Sequence, residues 1–221
     1  MTTLPLNWDD IDTVLLDMDG TLLDLKFDND FWLQIVPVAY ADKHSVSVHE
    51  ACNIIFPRMR SLRGTINWYC VEFWSLELQL DIVDLKCQCR DAISLRDGSI
   101  AFLNAVKRSN RRQIMVTNAH EATLDIKMQR TGIAHLFNEL ISSHRFKTPK
   151  EQREFWVKLV EQTGVDLTRC LFIDDSAAVL DAAQDAGVGH ILGVLKPDSS
   201  RPENHYENFV ALDSYTEILP Q

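Results

Sequence analysis

Asp17 and Asp19 are two carboxylates separated by one residue, and they directly follow the apolar run from Thr13 to Leu16. A short apolar run of this kind predicts a buried strand. In open parallel sheets, ligands bind beyond the carboxyl ends of the strands. Both acids are therefore expected to project into a site.

Polar groups follow three further apolar runs in the same way. Thr117 and Asn118 end the second predicted strand, and Asp174 and Asp175 follow the fourth. Lys150 comes after the third, where it is predicted to open a helix. Parallel strands would bring these groups to one rim of the sheet.

Acids, a hydroxyl and a lysine at one rim suit phosphoryl transfer. Clustered carboxylates cannot all stay ionised without a cation, and Mg²⁺ accepts oxygen ligands. With that charge offset, one carboxylate can attack phosphorus as a nucleophile, while the hydroxyl and the lysine hold the non-bridging oxygens. A second acid can protonate the leaving oxygen and then activate water.

The two acidic pairs also have other interpretations. A calcium loop at Asp17 and Asp19 would need glycine at its sixth position, where Leu22 stands. Asp174 and Asp175 could instead cap the helix expected near Ser176, since acids favour helix N-termini.

The chain from about residue 95 onward alternates short apolar runs with amphipathic segments. Together with the run after residue 12, the alternation predicts an α/β fold with a doubly wound parallel sheet. The predicted helices cover residues 99–109, 121–131, 151–163 and 176–186, and the tail after Lys196 is expected to be a surface return.

Residues 25–94 lack this alternation and carry aromatic residues at helical spacing. Ser47 and Glu50 form a capping-box signature, and an aromatic-rich amphipathic run extends from Trp68 to Leu80, with its pattern continuing to Cys89. We predict a helical cap domain at residues 25–94, inserted into a core formed by residues 1–24 and 95–221.

The composition restricts the classes of partner. The 221 residues include 22 Lys+Arg and 32 Asp+Glu, for a formal net charge of −10, which argues against broad binding to nucleic acid or an anionic membrane. The N-terminus shows no leader pattern, and no apolar run is long enough to span a bilayer. Five scattered cysteines are expected to be reduced, so a cytoplasmic location is predicted.

The order of these motifs resembles the haloacid dehalogenase-like (HAD) hydrolases. The likeness rests on Asp-x-Asp-Gly-Thr at residues 17–21, a strand-terminal threonine, the Pro-Lys pair at 149–150 and Asp-Asp at 174–175. It implies a Mg²⁺-dependent phosphomonoester hydrolase that works through an aspartyl phosphate.

The resemblance also implies roles for individual residues. Asp17 would be the nucleophile, and Asp19 the acid/base whose backbone carbonyl also reaches Mg²⁺. Thr117, Asn118 and Lys150 would hold the phosphate. Asp175 would ligate the metal directly, and Asp174 directly or through water. Many relatives carry Asn or Asp four residues after the last acid, where this chain has Val179.

Within that family the chain looks like the bacterial GMP/IMP 5′-nucleotidases, through Phe27-Asp28-Asn29, Asn67-Trp68-Tyr69-Cys70 and Thr117-Asn118-Ala119-His120. This implies a purine nucleoside monophosphate as substrate. Trp68 or Tyr69 could stack on the base, since base–aromatic stacking contributes about 1–3 kcal/mol. Both aromatic residues could equally be core.

Rival functions share parts of this pattern. Another HAD phosphatase or a sugar phosphomutase would have the same core and differ in the cap. A receiver domain, a non-enzymatic phospho-acceptor, also collects acids, a threonine and a lysine on a parallel sheet. In receivers, however, the acidic pair comes first in the chain, whereas Asp174 and Asp175 come last here.

Overall fold

A computed structural model describes residues 6–220. The prediction that the N-terminus carries no leader lies partly outside the described residues. The strands are β1 (Thr13–Leu16), β2 (Arg112–Thr117), β3 (Glu139–Ser142), β4 (Cys170–Ile173), β5 (His190–Val194) and β6 (Ala211–Leu212). The helices are α1 (Lys26–Asp30), α2 (Val36–His44), α3 (Val48–Leu62), α4 (Ile66–Tyr69), α5 (Val71–Leu78), α6 (Ile82–Gln88), α7 (Ser99–Arg108), α8 (Glu121–Thr131), α9 (Arg153–Thr163) and α10 (Ala177–Asp185). A π-helical segment, Phe31–Ile35, joins α1 to α2, and 3-10 turns lie at Trp8–Asp10, Arg90–Ala92, Ile133–Leu136, Ser143–Phe146, Leu167–Arg169 and Tyr215–Ile218.

The strands form one parallel sheet in the order β3-β2-β1-β4-β5-β6. Successive side chains of a strand point to opposite faces of the sheet. Val14 and Leu16 accordingly pack into the apolar core on one face, and Leu15 packs into the core on the other. In β4, Leu171 likewise packs into the core that contains Val14, and Phe172 packs into the core that contains Leu15. The predicted doubly wound α/β fold is confirmed.

The direction of winding reverses at β1, the central strand. β2 and β3 lie on one side of it, and β4 to β6 on the other. The ladder between β1 and β4 pairs Leu16 with Ile173, and the Asp17 N–H donates to the Ile173 carbonyl at 3.0 Å. The next residue of each strand, Asp17 and Asp174, therefore emerges at the crevice where ligands bind in such sheets.

Helices α1 to α6 form the helical segment, residues 26–88, between β1 and α7. The segment has its own apolar cluster, with Phe31, Ile55 and Trp74 fully buried. The predicted capping box is present: Ser47 Oγ accepts from the Glu50 N–H, and the Glu50 carboxylate accepts from the Ser47 N–H. The division into core and cap domains stays a prediction.

The amphipathic run from Trp68 is helical, but it is divided at Cys70, whose φ of −86° and ψ of 107° are extended. Two local predictions were wrong. α9 begins at Arg153, because the chain makes a turn at Lys150 before it. The tail after Lys196 contains β6, whose short pairing with β5 has little sequence signal.

Within residues 6–220, every helix is too short or too polar to span a bilayer.

Candidate active site

A single buried ammonium joins the two strand-end acids. Lys150 Nζ donates to Asp17 Oδ1 and Asp174 Oδ2, both at 2.6 Å, and to the Val116 carbonyl at 3.0 Å. The lysine is 2% exposed. Three acceptors match the three donors of an ammonium group, so this buried charge is fully satisfied.

The turn that carries Lys150 is fixed through its backbone. Its N–H donates to Asn118 Oδ1 at 2.9 Å, and its carbonyl accepts from Trp156 Nε1 at 2.9 Å. Trp156 is buried in the core below the turn. The Asn118 side chain also donates to Glu151 Oε2 at 2.9 Å, so it ties the loop after β2 to the start of α9.

Burial dominates the electrostatics of these acids. It raises the pKa of Asp17 to about 6, although the Lys150 ammonium opposes the shift. Burial and the neighbouring carboxylates of Asp174 and Asp17 raise the pKa of Asp175 well above its usual range. For Lys150, burial disfavours the ammonium, but the two carboxylates outweigh it and raise the pKa.

Asp17, Asp174 and Asp175 present carboxylate oxygens that lie within 4.8 Å of one another. Three acids around one ammonium leave excess negative charge in a buried site. Carboxylate oxygens are also the ligands that Mg²⁺ prefers. The donor set therefore fits the predicted divalent cation.

Asp19 occupies a separate environment. Its Oδ1 accepts from Lys127 Nζ at 2.6 Å, and Lys127, on α8, is 1% exposed. Burial raises the pKa of Asp19 to about 6, with Lys127 acting against the shift. The side chain is not part of the cluster of Asp17, Asp174 and Asp175, and contact of the Asp19 backbone carbonyl with a metal stays a prediction.

The same lysine connects Asp19 to the helical segment. Lys127 Nζ also donates to Asp28 Oδ2 at 2.5 Å, and Asp28 Oδ1 accepts from Lys86 Nζ at 2.8 Å. Lys86 is buried on α6 and lies 4.3 Å from the centre of the Phe31 ring. Burial disfavours the Asp28 carboxylate, but the two lysines hold its pKa well below its usual range.

Sequence reasoning missed Lys86 and Lys127. A lysine on an amphipathic helix is normally assigned to the solvated face, since buried lysines are rare. The available signal was Asp28 within the Phe27-Asp28-Asn29 motif.

Thr117 ends β2 beside this site, and its Oγ1 accepts from the Ala119 N–H at 3.0 Å. Tyr69 lies at the rim, where its hydroxyl donates to Glu151 Oε1 at 2.5 Å. Trp68 instead packs against the apolar cluster of the helical segment. The structure thus brings Tyr69, but not the Trp68 ring, to the residues around Asn118. Contact of either ring with a base stays a prediction.

Val179 is 1% exposed and belongs to the apolar core on one face of the sheet. It lies on the buried face of α10. Lys150 has its three acceptors without any polar group at that position.

The family model for haloacid dehalogenase-like hydrolases matches residues 11–187. The chain belongs to the haloacid dehalogenase-like hydrolases. It is 42% identical to the GMP/IMP nucleotidase YrfG of Escherichia coli (strain K12) over 96% of each chain. It is also 30% identical to the Pyrimidine 5′-nucleotidase YjjG of the same organism over 36% of each chain.

Among solved structures, the HAD phosphatase from Thermococcus onnurineus matches with a TM-score of 0.79 and 19% identity. The match covers 94% of this chain and 95% of that one, and at this identity it supports the fold alone. The family match and the nucleotidase relative confirm the predicted enzyme class, a phosphoric monoester hydrolase.

Asp28→Ala should lower the free energy of unfolding by about 3–5 kcal/mol, because it removes the carboxylate partner of two buried lysines. Asp30→Ala is the matched control, since its exposed pair with Lys26 contributes less than about 1 kcal/mol. Urea unfolding at neutral pH measures both. Folding lowers the pKa of Asp28. The extra loss of unfolding free energy in Asp28→Ala should therefore be present at neutral pH and should shrink as the pH falls below the ordinary aspartate pKa. Equal losses in the two variants would contradict this assignment.

Gly20→Ala should reduce turnover at least about tenfold, the effect of roughly 1.4 kcal/mol on the barrier. Gly20 has a φ of +81°, and a Cβ there would lie 2.6 Å from Cγ of Asp175, so the acid must move. Gly64→Ala is the control, with a φ of +78° and no atom within 4 Å of its Cβ. Both variants should lose about 1–2 kcal/mol of stability from the left-handed backbone. Normal turnover in Gly20→Ala would show that Asp175 need not stay in place.

Proposed function

We propose that this enzyme hydrolyses purine nucleoside 5′-monophosphates, GMP and IMP among them, to the nucleoside and phosphate. The observation that carries the chemistry is the placement of Asp17 at the crevice, held by the buried ammonium of Lys150. The substrate class is supported by the relative that is 42% identical over 96% of each chain, a GMP/IMP nucleotidase.

In the first step Asp17 attacks phosphorus, and the bond between phosphorus and the 5′ oxygen breaks. The leaving oxygen keeps the electron pair of that bond and receives a proton from Asp19. The product at this stage is an aspartyl phosphate on Asp17 and the free nucleoside. General acid help of this kind contributes about 10²- to 10⁴-fold.

In the second step water attacks the phosphorus of the aspartyl phosphate. Asp19, now ionised, takes the proton of the water, and the bond between phosphorus and the Asp17 oxygen breaks. Phosphate leaves, and both acids return to their starting states. Two separate lysines support the two roles, because Asp17 pairs with Lys150 and Asp19 with Lys127.

The phosphate would be held by the Thr117 hydroxyl, Asn118 and the Lys150 ammonium, which would exchange one of its three present acceptors for a phosphate oxygen. These groups come from the end of β2 and from the turn before α9, which the Asn118 side chain already joins. A preorganised set of donors stabilises the charge that develops on the transferring group.

Mg²⁺ would be held by the carboxylates of Asp17, Asp174 and Asp175 with the backbone carbonyl of Asp19. When bound, it supplies positive charge that lowers the repulsion between Asp17 and the phosphate.

The helical segment would act as the cap that closes over the substrate and excludes water. Its link to the chemistry is the chain of contacts from Lys86 through Asp28 to Lys127 and Asp19. Tyr69, hydrogen-bonded to Glu151 at the rim, is the better placed of the two predicted base contacts.

The five cysteines are free thiols, which supports the predicted cytoplasmic location.

Phosphate release with Mg²⁺ should be fastest with GMP and IMP in a panel that includes AMP, pyrimidine nucleotides and sugar phosphates. Asp17→Asn should abolish turnover in a folded chain, because it removes the attacking oxygen. Asp125→Asn, an exposed acid on α8, should keep normal turnover as the control. Even activity across the panel would refute the purine assignment and favour another HAD phosphatase. A phosphoryl group moved within a sugar phosphate, without release, would favour a phosphomutase.

Asp19→Asn should lower kcat about 10²- to 10⁴-fold, since it removes the proton donor. The loss should be smaller with a substrate whose leaving group needs no proton, such as an aryl phosphate with an acidic phenol. Steady-state rates on both substrates measure the difference. An equal loss on both would argue that Asp19 only supports the structure.

A further inference from the structure

Three side chains that the proposed mechanism does not use meet where the helical segment contacts the sheet. Cys70 comes from the break between α4 and α5, His120 from the loop after β2, and His144 from the turn after β3. One ligand atom from each lies within 4.8 Å of the other two. Elements far apart in the sequence therefore bring a thiol and two imidazoles together.

We propose that Cys70, His120 and His144 bind a thiophilic divalent ion of the Zn²⁺ type, at a second site beside the carboxylate cluster. One thiolate and two imidazoles are ligands for Zn²⁺, whereas Mg²⁺ takes oxygen ligands. The two sites are thus selective for different ions by their donor atoms.

The spacing is close to that of a metal site. Zinc bonds of about 2.0–2.1 Å to nitrogen and about 2.3 Å to sulfur place tetrahedral ligand atoms roughly 3.3–3.6 Å apart. The present upper limit of 4.8 Å is roughly 1.2–1.5 Å wider than this tetrahedral spacing. All three residues are partly exposed, so an ion has a route in, and binding would draw the three side chains together.

The ring nitrogens are available as ligands. His120 Nδ1 accepts the Ala122 N–H at 3.3 Å, so ligation through Nε2 would move the ring proton to Nδ1 and replace this long capping bond by the bond to the ion. His144 Nε2 is buried and, among residues 6–220, has no hydrogen-bond partner. A buried nitrogen without a partner is costly, and an ion would supply the missing interaction. Burial, together with His120, lowers the pKa of His144 to about 4, so its ring is neutral at physiological pH.

The sulfur is already in a polar environment. Cys70 Sγ accepts the Phe73 N–H at 3.4 Å, at the N-terminus of α5. Glu72, which is mostly exposed, lies 3.9 Å from His120 Nε2 and is placed to provide a fourth ligand. Water is the alternative fourth ligand, as in zinc sites that keep an open position.

A bound ion would join the helical segment to the loops after β2 and β3. Tyr69, adjacent to Cys70, and Asn118, close to His120, both contact Glu151 at the rim. The ion would therefore hold the segment against the core next to the substrate entrance. Ion binding does not depend on the proposed substrate, so the two proposals can fail separately.

The test is a titration of metal-free protein with Zn²⁺ against a chromophoric chelator, with saturating Mg²⁺ present, and with Co²⁺ as a spectroscopic probe. We expect one Zn²⁺ per chain and a sulfur-to-cobalt charge-transfer band. Removing an outer partner of a metal site costs about 10–100-fold in affinity, so removing a ligand by Cys70→Ser should cost at least about 100-fold. The cobalt band should also disappear.

Cys52→Ser is the matched control, because Cys52 is a partly exposed thiol of the helical segment that lies outside the cluster. It should bind Zn²⁺ like the wild type. His144→Gln provides a second ligand variant, and thermal unfolding of each metal-free chain verifies its fold. Equal affinity in wild type and both ligand variants, or an equal loss in Cys52→Ser, would overturn the proposal.

Discussion

The contact on which the site depends is the buried ammonium of Lys150 between Asp17 and Asp174. The parallel register of β1 and β4 places these acids next to each other at the edge of the sheet. Two buried carboxylates at such a short separation repel each other, and burial adds a desolvation cost for each negative charge. A cation is therefore required even in the metal-free protein. Asn118 and Trp156 fix the backbone of the turn that delivers it.

A second group of charges surrounds Asp19, the proposed acid/base, and separates it from Asp17, the proposed nucleophile. Asp19 is only two residues from Asp17, yet it pairs with Lys127, whose other partner is Asp28. Lys86 then extends the group into the helical segment. Two neighbouring acids thus pair with different lysines, and the proposed mechanism assigns them different roles. The same contacts make the position of the helical segment part of the environment of Asp19.

The sheet and the strand-end acids were predictable because the rules behind them are local. An apolar run of four residues identifies β1. Ligands bind beyond the carboxyl ends of strands in open parallel sheets, which places Asp17 and Asp174 at one crevice. Lys86 and Lys127 were not predictable, because helical periodicity does not distinguish a buried, paired lysine from a solvated one. The meeting of Cys70 with two histidines depends on the angle between α4 and α5, which no local pattern encodes. β6 is too short to give a signal.

The most direct test of this electrostatic account is a double-mutant cycle for Lys150→Met and Asp17→Asn. The free energy of unfolding is measured at mildly alkaline pH with a chelator present, so that no metal replaces the ammonium. The account predicts that Lys150→Met alone loses about 3–5 kcal/mol, because it leaves buried carboxylates uncompensated. Asp17→Asn in the same chain should then recover a large part of that loss. Simple addition of the two single effects would contradict the claim that Lys150 holds the acids together.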